Sequence, residues 1–320
     1  MAYRQFLSRS QSWSRRLSEN RIAPARFYSQ GLRPGGGRTR FRVNKTTGTY
    51  IGVTAGLLLG GYYVTHLENA PETGRRRFMA VSKEEEELIG KQSLEGTLQE
   101  FRGRILPVDH PITQQVRRIT RRIITSSNLG HLEGEGPGQD YLIDTWGFSA
   151  DTFGAEIPRS PTMYPAKEWV VLVIHDKKFI NAFAAPGLVC VSTGIMPVAR
   201  DEEGLAAIIG HEIGHVTMRH SAENLSMAKL LFPVTGLLLV LGIDLFLSSM
   251  MTNLLYSLPH SRALETEADM IGLKLMSRAC YDPGAAPRVF EDLKKLEKTS
   301  VPKFLDTHPP TPERIAVSVS

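Results

Sequence analysis

Residues 209–220 read IGHEIGHVTMRH, with His211 and His215 four positions apart and Glu212 directly after the first histidine. On an α-helix, positions i and i+4 differ by about 40° around the axis, so the two imidazoles leave one face a turn apart and can meet a single ion. The preceding DEEGLAAIIG supports a helix here. Asp201 is a candidate N-cap, Glu202 and Glu203 suit the positive end of the dipole, and Leu205, Ala206, Ile208 and Ile209 supply an apolar side. Neutral imidazole is a preferred ligand of zinc, and a catalytic zinc site uses three protein ligands with the fourth position left to water. Glu212 leaves the helix about 100° from His211, beside the ion rather than on it, where a carboxylate can take a proton from the bound water.

Two ligands do not complete such a site. Downstream, SRALETEADMIGLKL places Glu265 and Asp269 at i and i+4, with Leu264, Ala268, Ile271 and Leu275 forming an apolar stripe on the neighbouring face. This pattern assigns Glu265 as a third ligand and Asp269 as the group that holds a histidine N–H and fixes its tautomer. Glu267 competes with Glu265: it points roughly 200° away on the same helix, so only one of them faces the ion, and spacing alone does not choose. A solvated acidic helix face and a pair of core histidines are the alternatives to a metal site.

HEIGHVTMRHSAE followed by SRALETEAD resembles a family of membrane-associated zinc metallopeptidases that includes bacterial heat-shock and periplasmic proteases and the type I prenyl-protein protease. The family pattern is H-E-x-x-H followed by S-R-x-x-E-x-x-A-D, which selects Glu265 over Glu267 and adds Arg262 beside the ligands. NAFAAPGLVCVSTGIM is similar to the strand segment ahead of the family's zinc helix, so Asn181, Ala182 and Phe183 are expected on a strand that pairs with substrate. YDPGAAPRVFEDL and THPPTPERI are similar to its C-terminal part, and ENAPETGRRRF points to the mitochondrial inner-membrane branch. The resemblance implies an α+β, mainly helical gluzincin domain with a small β-sheet over 84–320. It also implies one Zn²⁺ per chain and ATP-independent cleavage of misfolded or stress-exposed membrane proteins, the dynamin-like fusion GTPase of the inner membrane among them. No phosphate-binding G-x-x-x-x-G-K-[ST] loop is present in the sequence.

The N-terminal segment 1–45 is rich in arginine and serine with Glu19 as its only acidic residue, the composition of a mitochondrial transit peptide, and ARFYS suggests cleavage near the Tyr28–Ser29 bond. The formal net charge of +5 comes largely from this segment, and no nucleic-acid-binding motif accompanies it. From 46 to 67 the chain carries no formal charge, and about 20 uncharged, largely apolar residues suffice to span a bilayer, so one transmembrane helix is expected before a linker over 68–83. Arginine is denser before this span than after it, which directs the catalytic domain to the intermembrane space. Gly52, Gly56 and Gly60 recur every fourth residue, a stripe suited to close helix pairing and hence to a homo-oligomer.

The remaining chain reads as helices over 84–101 and 112–127, Gly-rich and Pro-rich loops over 130–140 and 156–165, and strands in WVVLVIHD and GLVCVST. The segment 230–259 is hydrophobic with Asp244 as its sole charge; a hairpin resting in or on the membrane is expected there. Cys190 and Cys280 form no C-x-x-C pair and read as buried thiols. His220, five residues past His215, reads as structural, whereas His308 sits in a proline-stiffened loop from which it can visit the open metal position as a latency device. A non-cleaving membrane scaffold or holdase and a prenyl-protein protease of the endoplasmic reticulum are the competing functions. The complete set of ligands and base argues against the first, and the single clear span against the second.

Overall fold

The computed structural model describes residues 45–135, 168–240 and 245–297, together with Phe304 and His308. The segment 1–44, the loop 156–165 and the end of the Gly-rich stretch beyond Glu135 lie outside the described residues. Helix α1 spans Lys45–Thr65. Its exposed apolar side chains include Val53, Leu57, Leu58 and Val64. Among the described residues no helix is long and apolar enough to cross a membrane. The physical reason in α1 is composition: glycine, threonine and tyrosine dilute the leucine and valine of the segment read from sequence as a span.

The stretch 68–83, expected as a linker, instead carries a small antiparallel ribbon. Strands β1 (Leu67–Asn69) and β2 (Arg76–Phe78) pair with Leu67 opposite Phe78 and Asn69 opposite Arg76. Tyr63 stacks on Phe78 with ring centroids 5.4 Å apart, which ties the end of α1 to the ribbon. Arg77 is buried, bonded to Glu68 and to the Met218 carbonyl. Short strands with little apolar content give a weak sequence signal; here buried arginine pairing holds them.

Helix α2 (Lys83–Glu100) begins with a capping box, in which Ser82 accepts from the Glu85 N–H and Glu85 accepts from the Ser82 N–H. Helix α3 (Pro111–Ser126) buries Val116, Ile119, Ile123 and Ile124 at helical spacing. The main sheet follows, formed by β3 (His131–Leu132), β4 (Glu168–Ile174), β5 (Ala182–Ala185) and β6 (Leu188–Ser192) in the order β3-β4-β6-β5. Strands β3 and β6 run parallel to β4, and β5 runs antiparallel to β6. The two residues of β3 lie in the stretch read from sequence as a loop; the parallel neighbour β4, not local composition, recruits them. Gly187, at φ 77°, closes the tight β5–β6 turn where a side chain would be strained.

After a short helix α4 (Met196–Ala199) comes the histidine-bearing helix α5 (Glu202–Thr217). Asp201 caps it as the sequence indicates, accepting from the Gly204 N–H at 2.8 Å. Helix α6 (His220–Val240) and the long α7 (Leu245–Arg278) run through the hydrophobic segment 230–259, whose middle residues 241–244 lie outside the described residues. Phe232 on α6 is largely exposed. Helix α8 (Ala285–Glu297) completes the core around α5. Cys190 is buried in β6, where loss of solvent pushes its thiol far up. Cys280, expected as buried, is exposed in the turn that follows α7, at φ 54°.

Helices α5 and α7 approach nearly backbone to backbone. A Cβ added at Gly272 would lie 2.9 Å from the His211 nitrogen, and one at Gly214 would lie 2.8 Å from the Ala268 carbonyl oxygen. Gly272→Val is therefore expected to force the two helices apart and destabilise the fold by about 3 kcal/mol. Thermal denaturation measures this; an unchanged melting temperature would show that the contact tolerates a side chain.

Candidate metal centre

The closeness of α5 and α7 brings the chemistry together. From α5, His211 and His215 direct their Nε2 atoms inward, 3.1 Å apart. From α7, Glu265 places Oε2 3.5 Å from His211 Nε2 and Oε1 3.3 Å from His215 Nε2. His308 supplies Nδ1, 3.3 Å from His211 Nε2 and 3.1 Å from both Glu265 oxygens. These four residues offer ligand atoms that all lie within 4.8 Å of one another. Leu264, Ala268, Ile271 and Leu275, the apolar stripe of α7, are buried and fix which face of that helix looks inward.

The proton positions bear on whether an ion fits. His211 Nδ1 is 2.8 Å from Asp269 Oδ1, and a carboxylate at that distance favours the ring proton on Nδ1 over Nε2. Ring nitrogens and a carboxylate converging at these separations need a proton or a cation between them, and nitrogen with carboxylate oxygen is a donor set that zinc accepts. Glu265 is held well below the usual carboxylate range. Burial pushes it upward, but the three histidines that crowd its oxygens, His211, His215 and His308, outweigh that effect. Burial pushes His308 down to about 3.

Glu212 is buried on α5 next to the cluster and contributes none of the four ligand atoms; its Oε1 lies 3.4 Å from His308 Nε2. Arg262 is exposed on α7, and among the described residues its guanidinium makes no bond to the cluster. Asn181 precedes β5, donating its N–H to the Ser192 hydroxyl oxygen and accepting from the Ser192 N–H at its carbonyl, while Ala182 and Phe183 lie in β5 itself, at the sheet edge beside α5.

Two side chains have surroundings that helical spacing alone does not give. His220 is buried, with Nδ1 2.8 Å from His215 Nδ1, although helical extrapolation turns it away. The reason is that α5 ends at Thr217 and Arg219 adopts φ 61°, so the chain reverses before α6 and swings His220 back. Glu267 does face away from the cluster, yet it is buried rather than solvated, receiving Thr73, Arg75 and His220. Burial raises and these hydrogen bonds lower its carboxyl, to about 2 in balance; burial takes His220 down to about 4. The only sequence signal for either was an unexplained ionisable group beside a ligand motif.

The description "Peptidase family M48" matches residues 155–318. The chain is 33% identical over 310 residues to a mitochondrial metalloendopeptidase OMA1 of Schizosaccharomyces pombe, covering 92% of this chain and 80% of the relative. It is 32% identical to the protein of the same name in Saccharomyces cerevisiae, covering 81% and 71% respectively. Similarity also extends to a putative beta-barrel assembly-enhancing protease of Vibrio cholerae, 32% identical over 46% of this chain and 33% of that protein.

Proposed function

Since this chain belongs to peptidase family M48, we propose that a zinc ion held by His211, His215 and Glu265 is its catalytic metal and that Glu212 is its general base. The chain is a mitochondrial metalloendopeptidase and acts on protein substrates. The observation that carries the site assignment is the convergence of three ligand groups from two helices with a buried carboxylate beside them that is not one of the four. Zinc bound there supplies Lewis acidity toward a carbonyl oxygen and lowers the pKa of a water. Glu212 accepts the proton of the attacking water and returns it to the leaving amide nitrogen. Asp269 keeps the His211 proton on Nδ1 so that Nε2 stays a ligand. The β5 edge at Ala182 and Phe183 offers backbone groups to an extended substrate, which adds as a strand and needs local unfolding to do so.

His308 is read as a latch. Its Nδ1 is the fourth convergent ligand atom, and with zinc bound it would take the position that a water needs, so the ring would have to leave before turnover. His308→Ala is expected to raise the initial rate on a short unstructured peptide while zinc content stays stoichiometric; a lower rate would assign His308 to substrate binding instead.

Membrane attachment, with the catalytic domain toward the intermembrane space, is the further part of this reading. It is supported by the uncharged stretch 46–67 and by the exposed Leu57, Leu58, Val64 and Phe232. The stripe Gly52, Gly56, Gly60 serves there for self-association, having nothing within 4 Å of an added Cβ. Stress-exposed membrane proteins, including the inner-membrane dynamin-like fusion GTPase, are the proposed substrates by family resemblance. The direct test is cleavage of a membrane-anchored reporter by purified protein before chelation, after chelation and after zinc is restored. Cleavage that survives full zinc removal would end the zinc reading.

A further inference from the structure

The side of His215 that faces away from the metal cluster is joined to a part of the chain ahead of the matched peptidase domain. Glu267, two residues past Glu265 on α7, is buried. Its Oε1 accepts from the Thr73 hydroxyl. Its Oε2 accepts from Arg75 Nη2 at 2.8 Å and Nε at 3.2 Å. Arg75 is itself anchored, since Nη1 and Nη2 each donate to a Glu223 oxygen at 2.7 Å. On the other side, His220 Nε2 lies 3.1 Å from Glu267 Oε2, and His220 Nδ1 lies 2.8 Å from His215 Nδ1. Thr73 and Arg75 belong to the β1–β2 ribbon, well before residue 155, where the peptidase match begins.

The protons in this chain have one consistent arrangement. Glu267 as a carboxylate only accepts, so His220 presents Nε2–H to it. A neutral His220 then offers a lone pair at Nδ1, and His215 must meet that lone pair with Nδ1–H. With its proton on Nδ1, His215 has a lone pair on Nε2, the atom 3.1 Å from His211 Nε2 and 3.3 Å from Glu265 Oε1. The reverse arrangement places a proton on His215 Nε2 and removes it as a ligand. It also turns the His220 Nε2 lone pair toward a carboxylate, which is repulsive. His215 thus has through His220 and Glu267 what His211 has directly in Asp269.

We propose that Thr73, Arg75, Glu267 and His220 form a positioning relay that fixes the tautomer and ring orientation of His215, so that the ribbon next to α1 is part of the metal-binding machinery. This rests on the reading of His211, His215 and Glu265 as zinc ligands. The relay also gives the ribbon a way to act on the site: a shift of β1–β2 that withdraws Arg75 and Thr73 loosens Glu267 and thereby the hold on His215, without touching a ligand. Tyr63 stacked on Phe78 links that ribbon to the end of α1.

The test is zinc affinity of the full chain, purified in detergent and titrated against a chromophoric chelator, with circular dichroism melts as the measure of folding. His220→Ala and Glu267→Gln are expected to weaken zinc binding by about 10- to 100-fold, the range for groups that orient metal-bound histidines. His220→Gln is expected to recover much of the loss, because an amide both donates and accepts, whereas a purely structural role would reward His220→Leu equally. Thr73→Val and Arg75→Lys, which reach the ligand only through Glu267, are expected to weaken binding in the same direction and to lose their effect once Glu267→Gln is present. If His220→Ala does not fold, these two ribbon variants carry the test. Wild-type affinity in folded ribbon variants, or His220→Gln binding zinc no better than His220→Leu, would overturn the relay. A wild-type chain that takes up no zinc would instead overturn the ligand assignment, and the relay with it.

Discussion

Glu212→Gln is expected to lower peptide-bond cleavage by about 10²- to 10⁴-fold while zinc remains bound, because the substitution removes a proton acceptor and no ligand. Glu212 is buried beside the four convergent ligand atoms but is not among them, so the amide should leave their geometry unchanged. Glutamine keeps the shape of the side chain, which limits the loss to proton transfer. The measurement is single-turnover cleavage alongside metal analysis of the same preparation. Zinc lost in parallel with activity would make Glu212 a ligand, and activity within a few-fold of wild type would move the base elsewhere.

Glu265→Gln has the second large effect, this time on the metal. Glu265 lies within 3.5 Å of both His211 and His215 through its two oxygens, and it is the only carboxylate in the group of four. Replacing it removes the negative charge that balances a dication and turns an N–H₂ group toward nitrogen lone pairs. Zinc affinity is expected to fall well beyond the 10- to 100-fold proposed for Glu267→Gln, and the melting temperature should fall with it because bound metal stabilises the folded chain by mass action. Isothermal titration of the two variants side by side decides the assignment; if Glu267→Gln binds zinc the more weakly of the two, the third ligand is misassigned.

Much of the architecture is legible in local pattern. Asp201 followed by acidic and then apolar residues marks the start of α5, and the cap forms with that residue. The near-continuous apolar run of β4 reads as a buried strand for the reason that parallel strands do: both faces are covered. The ribbon β1–β2 was not legible, since three-residue strands with arginine and glutamate carry no apolar alternation, and their hold comes from Glu223, Glu267 and Met218, more than a hundred residues away. Composition also suggested more than the helix bears out in the case of α1, whose residues form a helix but not one apolar enough to cross a membrane.

For the site, the sequence by itself determined what helical periodicity can determine: that His211 and His215 share a face, that Glu212 stands beside them, and that Glu265 and Glu267 look in different directions from one helix. It could not say which face of α7 turns toward α5. The tertiary structure decided that, because the glycines at 210, 214 and 272 let the two backbones touch along one side and the buried stripe from Leu264 to Leu275 occupies the adjoining one. Only the fold could place His220 as well. A single residue at positive φ, Arg219, ends the helix on which its direction was being extrapolated, and periodicity carries no information past the point where the period stops.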